Sequence, residues 1–317
     1  MKKIKYIVSI KGLDTPQGSI TFSALKHIIN ALSVGSERAL RLVLEGESVK
    51  KGPIPEWLAR SSDFVLTGVR KGSTSLVIQA PQLGDIAPEQ IKQQDLWNEV
   101  PSPEDTALSI LSKSVRDANR ENYDSDRYDP GVLDALLECK RLLNGDDIQI
   151  KISSKERATE GFTLKRSAFD KIEALKLATP EPQAVLISGF FDMIQHSRRR
   201  FTLRMENNEV VRGKIDEGSF SVESMRDLWG KKVTIKGTMY YAASKKPRLI
   251  EAQVIVAQRA GDEILRDLKL PLQVSEVITH LHKESHQGIV SEIWGKWPGD
   301  ESTEQILEAL KERKTVN

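Results

Sequence analysis

Cysteine occurs once in 317 residues, so no internal disulfide can form, and Cys139 sits in an apolar helical pattern that makes it a small buried hydrophobe. That usage fits a reducing cytoplasm. No apolar run approaches the roughly 20 residues that span a bilayer. The opening Met1-Lys2-Lys3-Ile4-Lys5-Tyr6 lacks the apolar core and cleavage site of a signal peptide, which predicts no export. A net charge of +2 is too small to argue for nucleic acid by itself, so any electrostatic case must be local.

Catalytic motifs are also missing. Gly230-Lys231 and Gly295-Lys296 lack the upstream glycine and following hydroxyl of a phosphate loop, Gly-x-Ser-x-Gly does not occur, and Cys139 has no histidine nearby in sequence. His280, His282 and His286 with Glu284 invite a zinc reading. On a helix, however, only His282 and His286 share a face, and a third ligand of suitable spacing is missing. Glu121, Asp124, Asp126 and Asp129 follow no calcium-loop pattern and read as a solvated loop, while Asp300 and Glu301 read as a charged first helical turn. No cofactor and no metal are expected.

What is present is a chain of 39% apolar and 29% charged residues, long enough for two or three globular domains. The predicted class is α+β. Residues 1–81 form a small sheet domain, with a strand over Ile4–Ile10 and a helix through Leu25 and Leu32 that stops at Val34-Gly35. Strands follow at Ala39–Leu44, Phe64–Val69 and Ser75–Ala80. Residues 82–182 are mainly helical, with Asp129-Pro130-Gly131 as a helix start and a short β element at Ile148–Ile152 and Gly161–Leu164. Residues 258–317 are a helical tail.

Between them, residues 183–257 read as β-β-β-α-β-β: Ala184–Met193, Arg200–Met205, Val210–Ile215, a helix at Val222–Leu228, Lys232–Tyr240 and Leu249–Val256. That order is the OB arrangement, a five-stranded barrel whose ligands meet strands two and three and the loops joining strands one to two and four to five. Both loops are basic. One carries His196, Arg198, Arg199 and Arg200, the other Tyr240, Tyr241, Lys245, Lys246 and Arg248. Cations at those places neutralise phosphates and the rings offer surfaces for unstacked bases, so single-stranded DNA or RNA is the expected ligand. Charged turns that merely keep hairpins soluble, or a barrel that binds protein, are the competing accounts.

The tail is the second candidate. Trp294 and Trp297 flank a turn, and Ser302 with Gln305 forms a capping box for a helix with Ile306, Leu307 and Leu310 on its apolar face. Tryptophan is enriched at interface hot spots, so Trp294, Trp297, Asp300, Glu301 and this apolar face would hold a protein partner, or pin the carboxyl end to the chain's own body.

The Trp297-Pro298-Gly299-Asp300-Glu301 turn and its following acidic helix resemble the endings of small bacterial proteins encoded beside PIN-domain ribonucleases, some of which behave as antitoxins. The resemblance covers residues 294–317 and implies a ribonuclease toxin as partner. More widely, Gly72-Ser73-Thr74 before a strand, together with the barrel, resembles an uncharacterised bacterial multidomain family. The reading that follows is a non-catalytic cytoplasmic binding protein, antitoxin-like or part of a defence system. The alternatives are an interaction scaffold without nucleic acid and an enzyme whose site is assembled from dispersed residues.

Overall fold

The computed structural model describes residues 2–13, 15, 16, 18–70, 74–92, 100–142, 148–195, 199–215, 226–259, 261–265 and 271. All of them but residue 271 belong to one compact unit, Met1–Leu270. Its elements are β1 (Lys3–Lys11), α1 (Phe22–Glu45), α2 (Glu56–Ser61), β2 (Val65–Arg70), β3 (Ser75–Pro81), α3 (Leu83–Ile86), α4 (Pro88–Lys92), α5 (Ala107–Asn119), α6 (Pro130–Leu137), β4 (Gln149–Ser153), β5 (Phe162–Lys165), α7 (Arg166–Ala178), β6 (Gln183–Gln195), β7 (Arg200–Arg204), β8 (Val210–Ile215), β9 (Lys232–Tyr241) and β10 (Pro247–Ala257).

Strands β1 to β5 form one antiparallel sheet in the order β2-β3-β1-β4-β5. Alternation sets its two faces. Ile4, Tyr6, Val8 and Ile10 of β1 enter a core shared with Leu76, Ile78, Ile150, Ile152 and the helices, while the odd-numbered residues point the other way. Helices α5 and α7 contact the sheet, and α1 packs on α5 and α6. Because β4 and β5 complete the sheet begun by β1, β2 and β3, one core spans the boundary expected at residues 81 and 82.

The sequence reading fails at Ala39–Leu44, which is the second half of α1 and not a strand. The second half of α1 is buried on nearly all sides, with Ala39, Leu40, Arg41, Leu42 and Leu44 all covered, so its apolar run carries no one-sided helical period and reads as a strand. Gly35 does not stop it. A side chain there would press on Leu111, so the glycine serves helix packing. The observed stop is Gly46, at φ 86°, whose N–H donates to the Leu42 carbonyl. Thr21 caps the start of α1, accepting from Ala24 N at 3.2 Å, and Asp129 opens α6 as expected, accepting from Val132 N at 3.0 Å.

Strands β6 to β10 close into a barrel in the order β10-β8-β7-β6-β9. Every pairing is antiparallel except β8 with β10, which pair parallel through Gly213 to Ile215 and Ile250 to Ala252. This is the OB connectivity. Its separate core is built from inward residues such as Phe191, Phe201, Leu203, Ile235 and Ile250. Two glycines permit close approach: a Cβ on Gly213 would lie 2.1 Å from the Phe201 ring, and one on Gly237 would lie 2.2 Å from the Glu251 carbonyl oxygen. The expected helix at Val222–Leu228 lies outside the described residues up to residue 225.

Candidate functional site

The outer face of β7 and β8 is set by alternation. Phe201 and Leu203 go in, as do Val211 and Ile215, so Arg200, Thr202, Arg204, Arg212 and Lys214 go out. Pairing brings Arg200 opposite Lys214 and Thr202 opposite Arg212. Unpaired, such a row of like charges would repel. The first domain supplies Glu47, Asp124 and Asp126, and the barrel itself supplies Asp192 and Glu251.

The carboxyl end of α1 meets two of these cations. An Arg200 guanidinium nitrogen donates to the Leu44 carbonyl, and Arg248 donates to the Gly46 carbonyl at 2.8 Å. Both arginines are buried. Terminal helix carbonyls lack intrahelical partners and carry the negative end of the macrodipole, so guanidinium groups satisfy them in hydrogen bonding and in charge.

Just beyond that end stands a buried ionic cluster. Lys214 Nζ lies 2.5 Å from Glu47 and 3.0 Å from Glu251, with all three side chains largely covered. The Tyr240 hydroxyl, 3.2 Å from each carboxylate, is shared between them. Burial first, then the two nearby carboxylates, push the Tyr240 phenol upward, so it stays protonated and donates.

The loop between α5 and α6 holds the outer rim. Arg212 pairs with Asp126 at 2.7 Å and Lys246 with Asp124 at 3.0 Å, while Ser244 N donates to the Tyr123 carbonyl at 3.0 Å. The Ser244 hydroxyl, and then Lys246, hold the Asp124 carboxyl below its ordinary range. Of the carboxylates read from sequence as a solvated loop, Asp124 and Asp126 are therefore partners of the barrel, Glu121 pairs with Lys171 of α7, and Asp129 is a helix cap.

Of the residues assigned to nucleic acid, Arg200, Lys246, Arg248 and Tyr240 are thus brought together, in contact with the sheet domain. Tyr241 lies in the barrel core and presents no ring to a base. Arg199 and Lys245 sit at turn tips with left-handed φ of 50° and 69°. His196 and Arg198 lie outside the described residues, as do Trp294, Trp297, Asp300, Glu301, Ile306, Leu307 and Leu310 of the tail and the histidines at 280, 282 and 286. Sequence reasoning missed Glu47, Arg212, Lys214 and Glu251. The two cations were findable, since Val-Val-Arg-Gly-Lys-Ile in β8 alternates cations onto the outer face.

Two clefts flank the junction. One of about 400 Å3 is lined by Lys113, Asp117, Asn122, Arg127 and Arg212. The other, about 680 Å3, is lined by Arg41, Lys50, Trp57, Glu89 and Arg199. Among the described residues no group of three or more His, Cys, Asp or Glu is placed to hold a metal ion, and no helix is long and apolar enough to cross a membrane.

Fold and site together define an α+β protein with an OB-like barrel whose cationic face is docked on an anionic edge of its own sheet domain. No protein-family model, no curated protein and no solved structure matches the chain.

Proposed function

We propose that the chain is a non-catalytic binding protein with two engagements. The barrel takes single-stranded nucleic acid on its β7–β8 face in exchange for its own sheet domain, and the tail holds a protein partner of the PIN-domain ribonuclease kind, as an antitoxin or defence component does. The observation that supports the first engagement is the docking chemistry: Arg200, Arg212, Lys214, Lys246 and Arg248 each meet a carboxylate or a helix-end carbonyl. Phosphates offer the same acceptors. The tail engagement rests on the resemblance of residues 294–317 to antitoxin-like endings.

Labelled single-stranded DNA and RNA, titrated at several salt concentrations, test the exchange. Asp124→Asn with Asp126→Asn removes the competing charges and is expected to tighten binding, while Arg199→Ala with Lys246→Ala lowers the salt slope by about 0.7 per lost contact. The same burial of Arg200, Arg248 and Tyr241 favours a second reading, in which the barrel is solely a protein-docking module. Absence of binding by wild type at low salt, with Asp124→Asn/Asp126→Asn equally silent, selects that reading. Copurification of a ribonuclease with the full chain, and not with residues 1–270, tests the tail.

A further inference from the structure

The five strands of the sheet, KIKYIVSIK, VLTGVR, SLVIQAP, QIKIS and FTLK, contain no acidic residue. They do contain six cations, Lys3, Lys5, Lys11, Arg70, Lys151 and Lys165. Register decides where these point, because residues directly opposite one another in a sheet share a face. Ser9 of β1 stands opposite Lys151 and Ser75, and Ser75 stands opposite Arg70. Lys11 stands opposite Gln149, which stands opposite Lys165. Lys3 and Lys5 keep the parity of Ser9 and Lys11.

All six cations therefore lie on one face, the side away from Tyr6, Val8, Ile150 and Phe162. Lys5, Lys11, Arg70, Lys151 and Lys165 are exposed, and none of the six makes an ion pair among the described residues. Antiparallel sheets commonly leave one face to water, but such a face usually mixes charges of both signs. The strand residues of this one carry a single sign.

We propose that this cationic face of the sheet binds the phosphate backbone of duplex nucleic acid without reading its bases. Spacing and chemistry favour that ligand. Lys5 and Lys11, six residues apart, are separated by about 20 Å along β1, and Arg70 and Lys151, three strand steps apart, by about 14 Å across the sheet. A rigid array of that size meets backbones on both sides of a groove, which are about 6 or 12 Å apart across the minor and major grooves. A single-strand platform needs aromatic rings for stacking. The aromatic residues of these strands, Tyr6 and Phe162, are both buried on the opposite face. The surface is distinct from the barrel face and stands whether or not that face exchanges partners.

The experiment is a fluorescence-anisotropy titration of the full chain with a labelled duplex of about 20 base pairs, as DNA and as RNA, over a salt series. Four to six phosphate contacts give a slope of log affinity against log salt near −4 to −5. Lys5→Glu with Lys151→Glu is expected to weaken duplex binding by about 100-fold, and Lys5→Gln with Lys151→Gln to weaken it less and to flatten the slope by about 2. Circular dichroism confirms that each variant is folded. The barrel variant Arg199→Ala/Lys246→Ala is expected to leave duplex affinity unchanged. Duplex binding lost in the barrel variant and retained in Lys5→Glu/Lys151→Glu overturns this inference while leaving the barrel proposal standing. It is equally overturned by no duplex binding at about 50 mM salt, or by binding only to phosphatidylserine vesicles.

Discussion

Replacing Lys214 with Met removes the cation and keeps much of the stem, so the outcome measures charge rather than packing. In the wild type the ammonium answers two carboxylates, Glu47 at 2.5 Å and Glu251 at 3.0 Å, and the side chains of Lys214 and Glu47 are only 13% and 9% exposed. Removal leaves those carboxylates facing each other with one Tyr240 hydroxyl between them. Breaking a buried pair costs about 3–5 kcal/mol because a charge is left uncompensated, and partial solvent contact at Glu251 places this case near the lower end, about 3 kcal/mol. Urea denaturation followed by circular dichroism gives the loss directly. A double-mutant cycle locates it. Glu47→Gln alone should cost about 2 kcal/mol, because it leaves the ammonium with one carboxylate, but should be close to neutral on the Lys214→Met background, where it relieves repulsion. Equal cost of Glu47→Gln in both backgrounds would refute the cluster as a coupled unit, as would a loss below about 1 kcal/mol for Lys214→Met.

Gly213→Ala should destabilise the barrel by about 3 kcal/mol or prevent its closure, since the added Cβ would enter the Phe201 ring, and thermal unfolding would register it. Acidification should loosen the β9–β10 turn. Asp124 is held below its ordinary pKa in the folded state, so its contribution is present above about pH 4 and is lost as pH falls through the depressed value; proteolysis near residue 245 should accelerate there and not between pH 5 and 8. Cys139, whose thiol burial pushes up to about 12, should react with a thiol reagent only at the rate of unfolding, and rapid labelling of native protein would contradict its burial.

The barrel was legible because each strand carries its own alternation and the parallel closure follows from connectivity; the expected Val210–Ile215 matches β8, and the other strands differ by a few residues at their ends. Helix α1 was half misread because burial on several sides erases the one-sided period that marks a helix. The site suffered from a different gap. Arg200 and Arg248 look like surface cations in a loop, and nothing local says that a helix end 156 and 202 residues away will meet them. Tyr240 and Tyr241 are neighbours of equal appearance, and only their parity on β9 sends one to the cluster and the other to the core. The basic sheet face went unread because Lys3, Lys11, Arg70 and Lys165 lie at strand ends, just outside the bounds that periodicity gives, and only the register puts them on one face with Lys5 and Lys151.

The long sequence separation between α1 and its two arginines also bears on how the chain is made. At roughly 5–20 residues per second a ribosome needs on the order of 10–40 s to travel from Gly46 to Arg248. During that interval the sheet can already be complete, since β5 ends at Lys165, while the carbonyls at the end of α1 face water. The barrel cannot seal until Ile250 to Ala252 emerge to join β8. A nascent chain halted before β10 therefore presents a finished sheet beside an open barrel, with the edges of β8 and β9 that β10 would cover available for wrong pairing. Final synthesis of one strand closes both edges and adds Arg248 and Glu251 to the contacts that β7 and β8 already offer the sheet domain.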